Sequence, residues 1–173
     1  MARSLLCPDA FLSPLEIDAA VTRALAEDLG RAGDVTATAT IAEDTPARAI
    51  VVARAAGVIA GLPFVAAAFA KLAGEIEIAA DTRDGSAVAA KTALMTVAGP
   101  ARAVLSAERV ALNLLGHLSG VATATHEFVR RVEGTRTRIC CTRKTTPGLR
   151  ALESTPSAAA AVSTTASAST TPC

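Results

Sequence analysis

Tryptophan and tyrosine are absent from the chain, and only four phenylalanines occur among its 173 residues. Because 51% of the residues are hydrophobic and many of these are alanine or valine, we expect a core filled by many small side chains. The length suffices for one ordinary domain. It is too short for a closed α/β barrel, which takes roughly 250 residues, plus a second domain.

Membrane, charge and cysteine signals are also missing. No apolar run reaches the roughly 18 residues of a membrane span, and no basic segment followed by a hydrophobic stretch begins the chain, so we expect a cytoplasmic protein. Seventeen basic and sixteen acidic residues leave a net charge of +1, which excludes a global attraction to nucleic acid or membranes. The four cysteines, Cys7, Cys140, Cys141 and Cys173, lack CxxC spacing, which predicts free thiols.

The first two thirds of the chain mixes helix and strand signals. Residues 1–12 show no periodicity and predict a loose arm. Ser13-Pro14-Leu15-Glu16 is a capping box, and it predicts a helix with apolar residues every four positions, ended by Gly30. Strands are predicted at 48–55, 57–61, 75–78 and 93–97, and a helix begins at Pro63. Residues 13–115 therefore predict an α+β domain, a mostly antiparallel sheet with helices on one face.

The next segment predicts two helices and a strand. One helix runs from Pro100 to Leu118, Ser119-Gly120 breaks it, and a second helix ends at Gly134. A strand is then predicted at 138–141. His117 and His126 lie on these helices without an acidic or cysteine partner at ligand spacing, which predicts structural roles for both.

A basic cluster follows the predicted strand. Arg143 and Lys144 are adjacent, and Pro147-Gly148 closes the segment because it cannot continue a strand. Ligands of α/β folds bind at the carboxyl ends of strands, and an arginine beside a lysine offers a planar fork and a point charge for carboxylate or phosphate. On charge alone, a solvated basic turn is the more common alternative.

The run TRKTTPGLR at residues 142–150 resembles the signature of the quinolinate phosphoribosyltransferase family. Further matches follow the family's order, and the resemblance extends from about Leu15 to Glu153. They are EDLG at 27–30 with GDVT at 33–36, GVIAGL at 57–62, AERVALN at 107–113 and LSGVAT at 118–123.

The resemblance implies an enzyme that transfers a phosphoribosyl group from phosphoribosyl pyrophosphate, with Mg²⁺, to quinolinate, and releases carbon dioxide to give nicotinate mononucleotide. Residues 116–153 would be the opening of an incomplete α/β barrel. Thr142, Arg143 and Lys144 would contact substrate from the end of its first strand. Arg109 would reach the neighbouring subunit's site, which implies a homodimer. Spacing alone favours a different role for Arg109, as a surface partner of Glu108 or Asn113 on the same helix.

Two departures from the family matter. Cys141 stands where the family usually has aspartate. A His-Arg pair, a later lysine and acidic residues on the metal side of the barrel would lie beyond Glu153 and have no counterpart, so we expect no transferase activity from this polypeptide. Two alternatives stay open. One is a non-catalytic fragment that pairs with a full-length subunit, and the other is a molybdenum-locus paralogue of the same fold.

Residues 154–173 change composition abruptly, since eighteen of the twenty are serine, threonine, alanine or proline. A low-complexity disordered tail is one interpretation. Serine, threonine, alanine and proline also have codons with C as the middle base. A GC-rich gene has C at many third codon positions, and reading it one base late moves that C to the middle. In the shifted frame, the middle base of each original codon becomes the first base of the new one. The family's continuation, through Lys-Tyr-Ala-Val and Asn-His-Arg, has middle bases that match the first bases of codons for the observed residues. We therefore expect an out-of-frame translation after Glu153.

Overall fold

The computed structural model describes residues 12–72, 76–140 and 144–154. The elements follow in chain order: α1 (Pro14–Leu29), α2 (Val35–Thr40), β1 (Pro46–Val52), β2 (Gly57–Val58), α3 (Leu62–Leu72), β3 (Glu77–Ala80), β4 (Ala87–Val88), β5 (Ala93–Pro100) and α4 (Ala101–Val132). Within these ranges, no helix combines the length and apolarity that crossing a membrane requires.

Helix α1 forms where the sequence predicts it, with Ser13 as its N-cap. The Ser13 hydroxyl accepts a hydrogen bond from the Leu15 N–H at 3.3 Å, and Pro14 occupies the first helical position. Ile17, Val21 and Leu25 are buried along one stripe. Gly30 ends the helix at φ 53°, and its N–H donates to the Ala26 carbonyl. Leu12, the last residue of the predicted arm, is only 6% exposed.

The main sheet has three antiparallel strands in the order β1-β5-β3. A second ribbon pairs β2 with β4. Met95 and Val97 are fully buried on the sheet face that the helices cover, whereas Ile50 and Val52 of β1 are 59% and 45% exposed. The predicted α+β domain, an antiparallel sheet with helices on one face, is thereby confirmed.

Three helices complete the core. Helix α3 contributes Leu62, Val65 and Phe69, none of which is more than 2% exposed. It packs against α4 on one side and α1 on the other. Because the aromatic content is low, the buried cluster to which all three helices contribute consists mainly of aliphatic side chains, as the composition predicts, with Phe64 and Phe69 as its aromatic members.

Helix α4 corrects one prediction. The expected break at Ser119-Gly120 does not exist, and a single helix of 32 residues runs through it. Leu118 and Ala122 are buried on either side of the dipeptide. The Ser119 hydroxyl and the Ala60 backbone exchange hydrogen bonds at 3.1 Å, so tertiary contacts outweigh the weak helix propensity of glycine.

Two further local predictions fail. Helix α2 was not predicted, because its sequence Val-Thr-Ala-Thr-Ala-Thr is rich in β-branched residues that favour strands. Residues 138–140 of the predicted strand 138–141 adopt no strand, and residue 141 lies outside the described part. No described strand pairs with this segment, so nothing completes the ladder that an extended segment needs.

Candidate functional site

One side of α4 collects the polar contacts between segments that are distant in the chain. Arg102, Ser106, Arg109 and His117 recur at spacings that place them on one side of a helix, here called the polar face of α4. The end of α1, helix α2 and the segment 146–153 each bond to this face. On this surface the motifs EDLG and GDVT meet AERVALN and the residue that precedes it.

Arg109 is held by the end of α1. Its Nη1 atom donates to Asp28 Oδ1 at 2.9 Å, and the arginine side chain is 73% exposed while that of Asp28 is 22% exposed. The partner is therefore neither of its expected helix neighbours, Glu108 and Asn113. The contact also explains why acidic residues end α1 against the helix dipole, since Asp28 holds a cation from α4.

Asp34 joins α2 to the same face. Its carboxylate caps α2 by accepting the Ala37 N–H at 2.8 Å, and it also accepts the Ser106 hydroxyl at 3.0 Å. These two bonds, with a smaller attraction from Arg109, hold the pKa of Asp34 below its ordinary value. A second ionised carboxylate thus lies near Arg109, and the two together limit where the guanidinium can move.

At the other end of α2, Arg102 caps the backbone. Its Nε and Nη2 atoms donate to the Ile41 carbonyl at 2.8 and 2.7 Å, and Nη2 also reaches the Thr38 carbonyl. A cation on the last carbonyls of a helix is favourable. The position of α2 against α4 is therefore fixed at both of its ends.

The predicted basic loop is described in part. Thr142 and Arg143, like Cys141, lie outside the described residues, while Lys144 is exposed and lies at the start of the described segment 144–154. A turn follows in which the Leu149 N–H donates to the Thr146 carbonyl at 3.0 Å, and Gly148 takes φ 81°. The predicted closure by Pro147-Gly148 is confirmed, because proline then glycine suits the second and third positions of a type II turn.

A contact that sequence spacing missed ties this loop to α4. His117 Nε2 lies 3.1 Å from Glu153 Oε1, and Glu153 Oε2 accepts the Thr146 N–H at 3.1 Å. Hydrogen bonds from the Thr146 side chain and backbone, with a smaller contribution from His117, lower the pKa of Glu153. His117 thus has an acidic partner 36 residues away, which no local motif indicates.

A second missed residue is Asp84, which the sequence marks only as part of a turn. Its side chain is 8% exposed, and its oxygens accept the N–H groups of Gly61 and Leu62 at 2.9 and 3.0 Å. Burial outweighs these bonds and raises the pKa of Asp84 to about 6. The carboxylate fixes the start of α3 and lies apart from the polar face of α4.

A cleft of about 590 Å³ opens where β1 begins and β5 ends, and its lining includes Glu43, Asp44 and Arg48. Neither Arg109 nor Lys144, the two predicted substrate-binding residues that the structure describes, belongs to this lining. Within residues 12–72, 76–140 and 144–154, no group of three histidine, cysteine or acidic side chains is arranged to hold a metal ion.

Comparison with known families agrees with this geometry. The family model of the quinolinate phosphoribosyl transferase N-terminal domain matches residues 34–119, and that of the C-terminal domain matches residues 121–165. The chain belongs to the quinolinate phosphoribosyltransferase family. The two matches meet at residue 120, in the middle of α4, so one helix carries the junction between the family's two domains.

Curated relatives carry matching names. The chain is 44% identical over 137 residues to a probable carboxylating nicotinate-nucleotide pyrophosphorylase of Synechocystis, covering 79% of this chain and 46% of the relative. It is 41% identical to the enzyme of that name from Mycobacterium leprae, covering 82% of this chain and 52% of the relative. The chain spans about half the length of the curated relatives it matches.

Solved structures give the same result. NadC from Streptococcus pyogenes aligns with a TM-score of 0.83 and 32% identity, over 87% of this chain and 53% of that one. The nicotinate-nucleotide pyrophosphorylase of Francisella tularensis aligns with a TM-score of 0.83 and 29% identity, over 88% and 54%. The family's N-terminal fold is therefore present in this chain.

Within the family fold, the matched motifs are contact pairs. EDLG and GDVT supply Asp28 and Asp34, which bond to Arg109 and Ser106 in or beside AERVALN. GVIAGL bonds through Val58 and Ala60 to Thr123 and Ser119 of LSGVAT. The matched motifs thus form two separate interfaces with α4.

Proposed function

We propose that this chain carries the acceptor-binding part of an enzyme that joins quinolinate to the ribose of phosphoribosyl pyrophosphate. The ring nitrogen forms a bond to the ribose C1′ as the C1′–O bond to pyrophosphate breaks. The carboxylate beside the nitrogen then leaves as carbon dioxide, and a proton takes its place. The products are nicotinate mononucleotide, carbon dioxide and pyrophosphate.

The observation that carries this proposal is the exposed Arg109, which Asp28 holds in place on α4. Quinolinate bears two carboxylates, and an arginine fork recognises such groups better than a lysine does. The bond to Asp28 uses one of the five N–H donors of a guanidinium. We expect Arg109 and the signature residues Thr142, Arg143 and Lys144 to supply the contacts to the anionic substrates.

We also propose that the working unit is a homodimer in which Arg109 reaches the neighbouring subunit's site. Leu105 and Leu112 lie one turn before and after Arg109 on the same side of α4, and they are 45% and 42% exposed. Apolar side chains around an exposed arginine are typical of the centre of a protein interface. Velocity sedimentation should show a dimer that Leu112→Glu converts to monomer, whereas a monomeric wild type would contradict this arrangement.

Magnesium enters the proposal only with the substrate. Mg²⁺ is commonly bound by substrate phosphates together with one or two carboxylates, and it would here screen the charge of the departing pyrophosphate. The described residues offer no cluster that fits a protein-held metal. We therefore assign no residue of this chain to magnesium and derive no step from it.

The proposed function is tested by titrating the chain with quinolinate in a calorimeter. Nicotinate, which lacks the second carboxylate, is the matched ligand, and we expect it to bind more weakly. Arg109→Ala should weaken quinolinate binding by about 2–4 kcal/mol if the contact is desolvated. Arg130→Ala is the matched variant, because Arg130 is an exposed arginine of α4 that also pairs with a carboxylate, Glu127.

Three results would contradict the proposed function. The first is no binding of quinolinate to the wild type. The second is equal affinity for quinolinate and nicotinate, which would show that the second carboxylate is not recognised. The third is an equal effect of the Arg109 and Arg130 substitutions, which would show a general loss of positive charge rather than a specific contact.

A further inference from the structure

The geometry points to His117 and Glu153 as positioning residues that fix the loop 144–149 against α4, and with it Lys144, for an anionic substrate. This inference rests on the proposed function, since that function makes the loop a substrate-binding segment. The two side chains together are called the clamp. One oxygen of Glu153 bonds to the helix side of the clamp, and the other bonds to the loop backbone.

The carboxylate end of the clamp is itself anchored. Residues 150–154 form a helical turn, and the neighbouring Leu152 is 4% exposed within the hydrophobic core. The Glu153 N–H donates to the Leu149 carbonyl at 2.9 Å, which closes the turn over the loop. The Glu153 side chain is 13% exposed, so neighbouring protein atoms cover most of its surface.

The histidine end is equally fixed. His117 lies on α4 between Leu115 and Leu118, which are 6% and 1% exposed, so the helix backbone cannot shift without disturbing the core. Its own side chain is 46% exposed. The clamp therefore connects a rigid element to the loop through two hydrogen bonds.

The bond to Thr146 bears on Lys144 because only one residue separates them. A lysine side chain has a flexible four-carbon stem, and ordering it on a ligand costs rotamer entropy. If the backbone at its base is already fixed, less freedom remains to be lost on binding. The clamp thus acts on the affinity through the loop and makes no contact with the substrate.

The test compares three variants of the full chain. Glu153→Ala removes both bonds, and Glu153→Gln keeps a carbonyl oxygen that can still accept the Thr146 N–H. Glu127→Ala is the matched control, because Glu127 is an exposed, ion-paired carboxylate of α4 with no bond to the loop. Hydrogen exchange of the Thr146 amide, followed by NMR, reports the loop, and calorimetric titration with quinolinate reports the affinity.

We expect Glu153→Ala to speed exchange at Thr146 and to weaken quinolinate binding, each on the order of tenfold, as the loss of one hydrogen bond to a charged group predicts. Glu153→Gln should recover most of both effects, and Glu127→Ala should match the wild type. If Glu153→Ala fails to fold, His117→Phe removes the clamp from its helix side while keeping a ring of similar size.

Unchanged exchange at Thr146 in Glu153→Ala would overturn the clamp. Faster exchange with unchanged quinolinate affinity would overturn its positioning role, because the loop would then be held without consequence for the ligand. If the wild type binds no quinolinate, the proposed function fails on its own. Hydrogen exchange alone then decides whether the clamp holds the loop. It does so only if the Thr146 amide loses protection in Glu153→Ala and regains it in Glu153→Gln.

Discussion

At the scale of single residues, burial has a large effect on the pKa of Asp84. It is buried and bonded to two backbone N–H groups at the start of α3. Its pKa is raised from 3.8 to about 6, so the folded chain holds this proton more tightly than the unfolded chain does. Stability from this group is therefore fully present below about pH 4 and is lost as the pH rises through 6.

We predict that the wild type loses about 2 kcal/mol of unfolding free energy relative to Asp84→Asn between pH 4 and pH 7, since this interval contains most of the change that the shift of the pKa produces. Asparagine cannot ionise, so its stability lacks this term. Urea unfolding at several pH values measures the difference. Asp81→Asn removes an exposed carboxylate from the same loop and is the control. A wild type that gains on Asp84→Asn as the pH rises would show that the two N–H bonds outweigh burial.

At the scale of elements, α4 gives a test through its glycines. A Cβ on Gly120 would meet nothing within 4 Å, whereas a Cβ on Gly61 would lie 3.0 Å from Leu118 Cδ1, and Gly61 has φ +107°. In a continuous helix, Gly120→Ala should stabilise the chain by about 0.5–1 kcal/mol. Gly61→Ala should destabilise it by about 1–3 kcal/mol, because an alanine there would have a strained backbone or Leu118 of α4 would have to move.

Thermal and urea unfolding of the two glycine variants supplies the measurement, and Gly116→Ala, also open on α4, should behave like Gly120→Ala. If Gly120→Ala destabilises the chain, the result would contradict a continuous α4 and favour the helix break that the sequence predicts. Equal effects at positions 61 and 120 would contradict the difference in backbone conformation on which the prediction rests.

The junction between α4 and β2 gives another test. Thr123 Oγ1 accepts the N–H of the buried Val58 at 2.9 Å, while Thr125 Oγ1 donates only within its own helix, to the Val121 carbonyl at 2.8 Å. Thr123→Val keeps the side-chain shape but strands the Val58 N–H, so we expect a loss of about 1–3 kcal/mol. Thr125→Val should change the unfolding free energy by less than about 0.5 kcal/mol. Equal losses at both positions would show that the cost comes from valine in a helix rather than from the junction.

These elements also show what the sequence can predict. Helix α1 was predictable because its cap, stripe and stop are all local, from Ser13 to Gly30. The continuity of α4 was not, because the partners of Ser119 and Thr123 lie 59 and 65 residues away. Helix α2 escaped prediction because its β-branched residues favour strands, and Arg102, which caps it from α4, lies 61 residues away in the sequence.

The candidate site divides in the same way. Arg109 and Lys144 were predictable through the resemblance, because the motifs that contain them are contiguous. The residues that hold these segments in place were not predictable. Asp28 bonds to Arg109 across 81 residues and Glu153 contacts His117 across 36 residues, so these pairs form only on folding. The substrate-binding roles of Arg109, Thr142, Arg143 and Lys144 all stay predictions, and Thr142 and Arg143 also lie outside the described residues. Sequence patterns thus nominate groups for substrate binding, while folding decides which residues lie against them.

At the scale of the whole molecule, the described part of the family fold reaches residue 154, and the family model of the C-terminal domain matches as far as residue 165. Leu152 is buried in the same core as α1 and α4, and Glu153 bonds to α4. The helical turn 150–154 is therefore an integrated part of the structure, built from the family's motif.

We therefore predict that the coding DNA, read in one of its other two frames from about codon 154, continues with Lys-Tyr-Ala-Val and reaches Asn-His-Arg. The reason is the abrupt change of composition after Glu153, because the residues that follow have the composition that a shifted GC-rich frame produces. Sequencing across codons 145–175 and translating all frames measures this. If neither alternative frame resumes the family pattern, residues 154–173 are a genuine low-complexity segment, and the non-catalytic fragment becomes the better description of the chain.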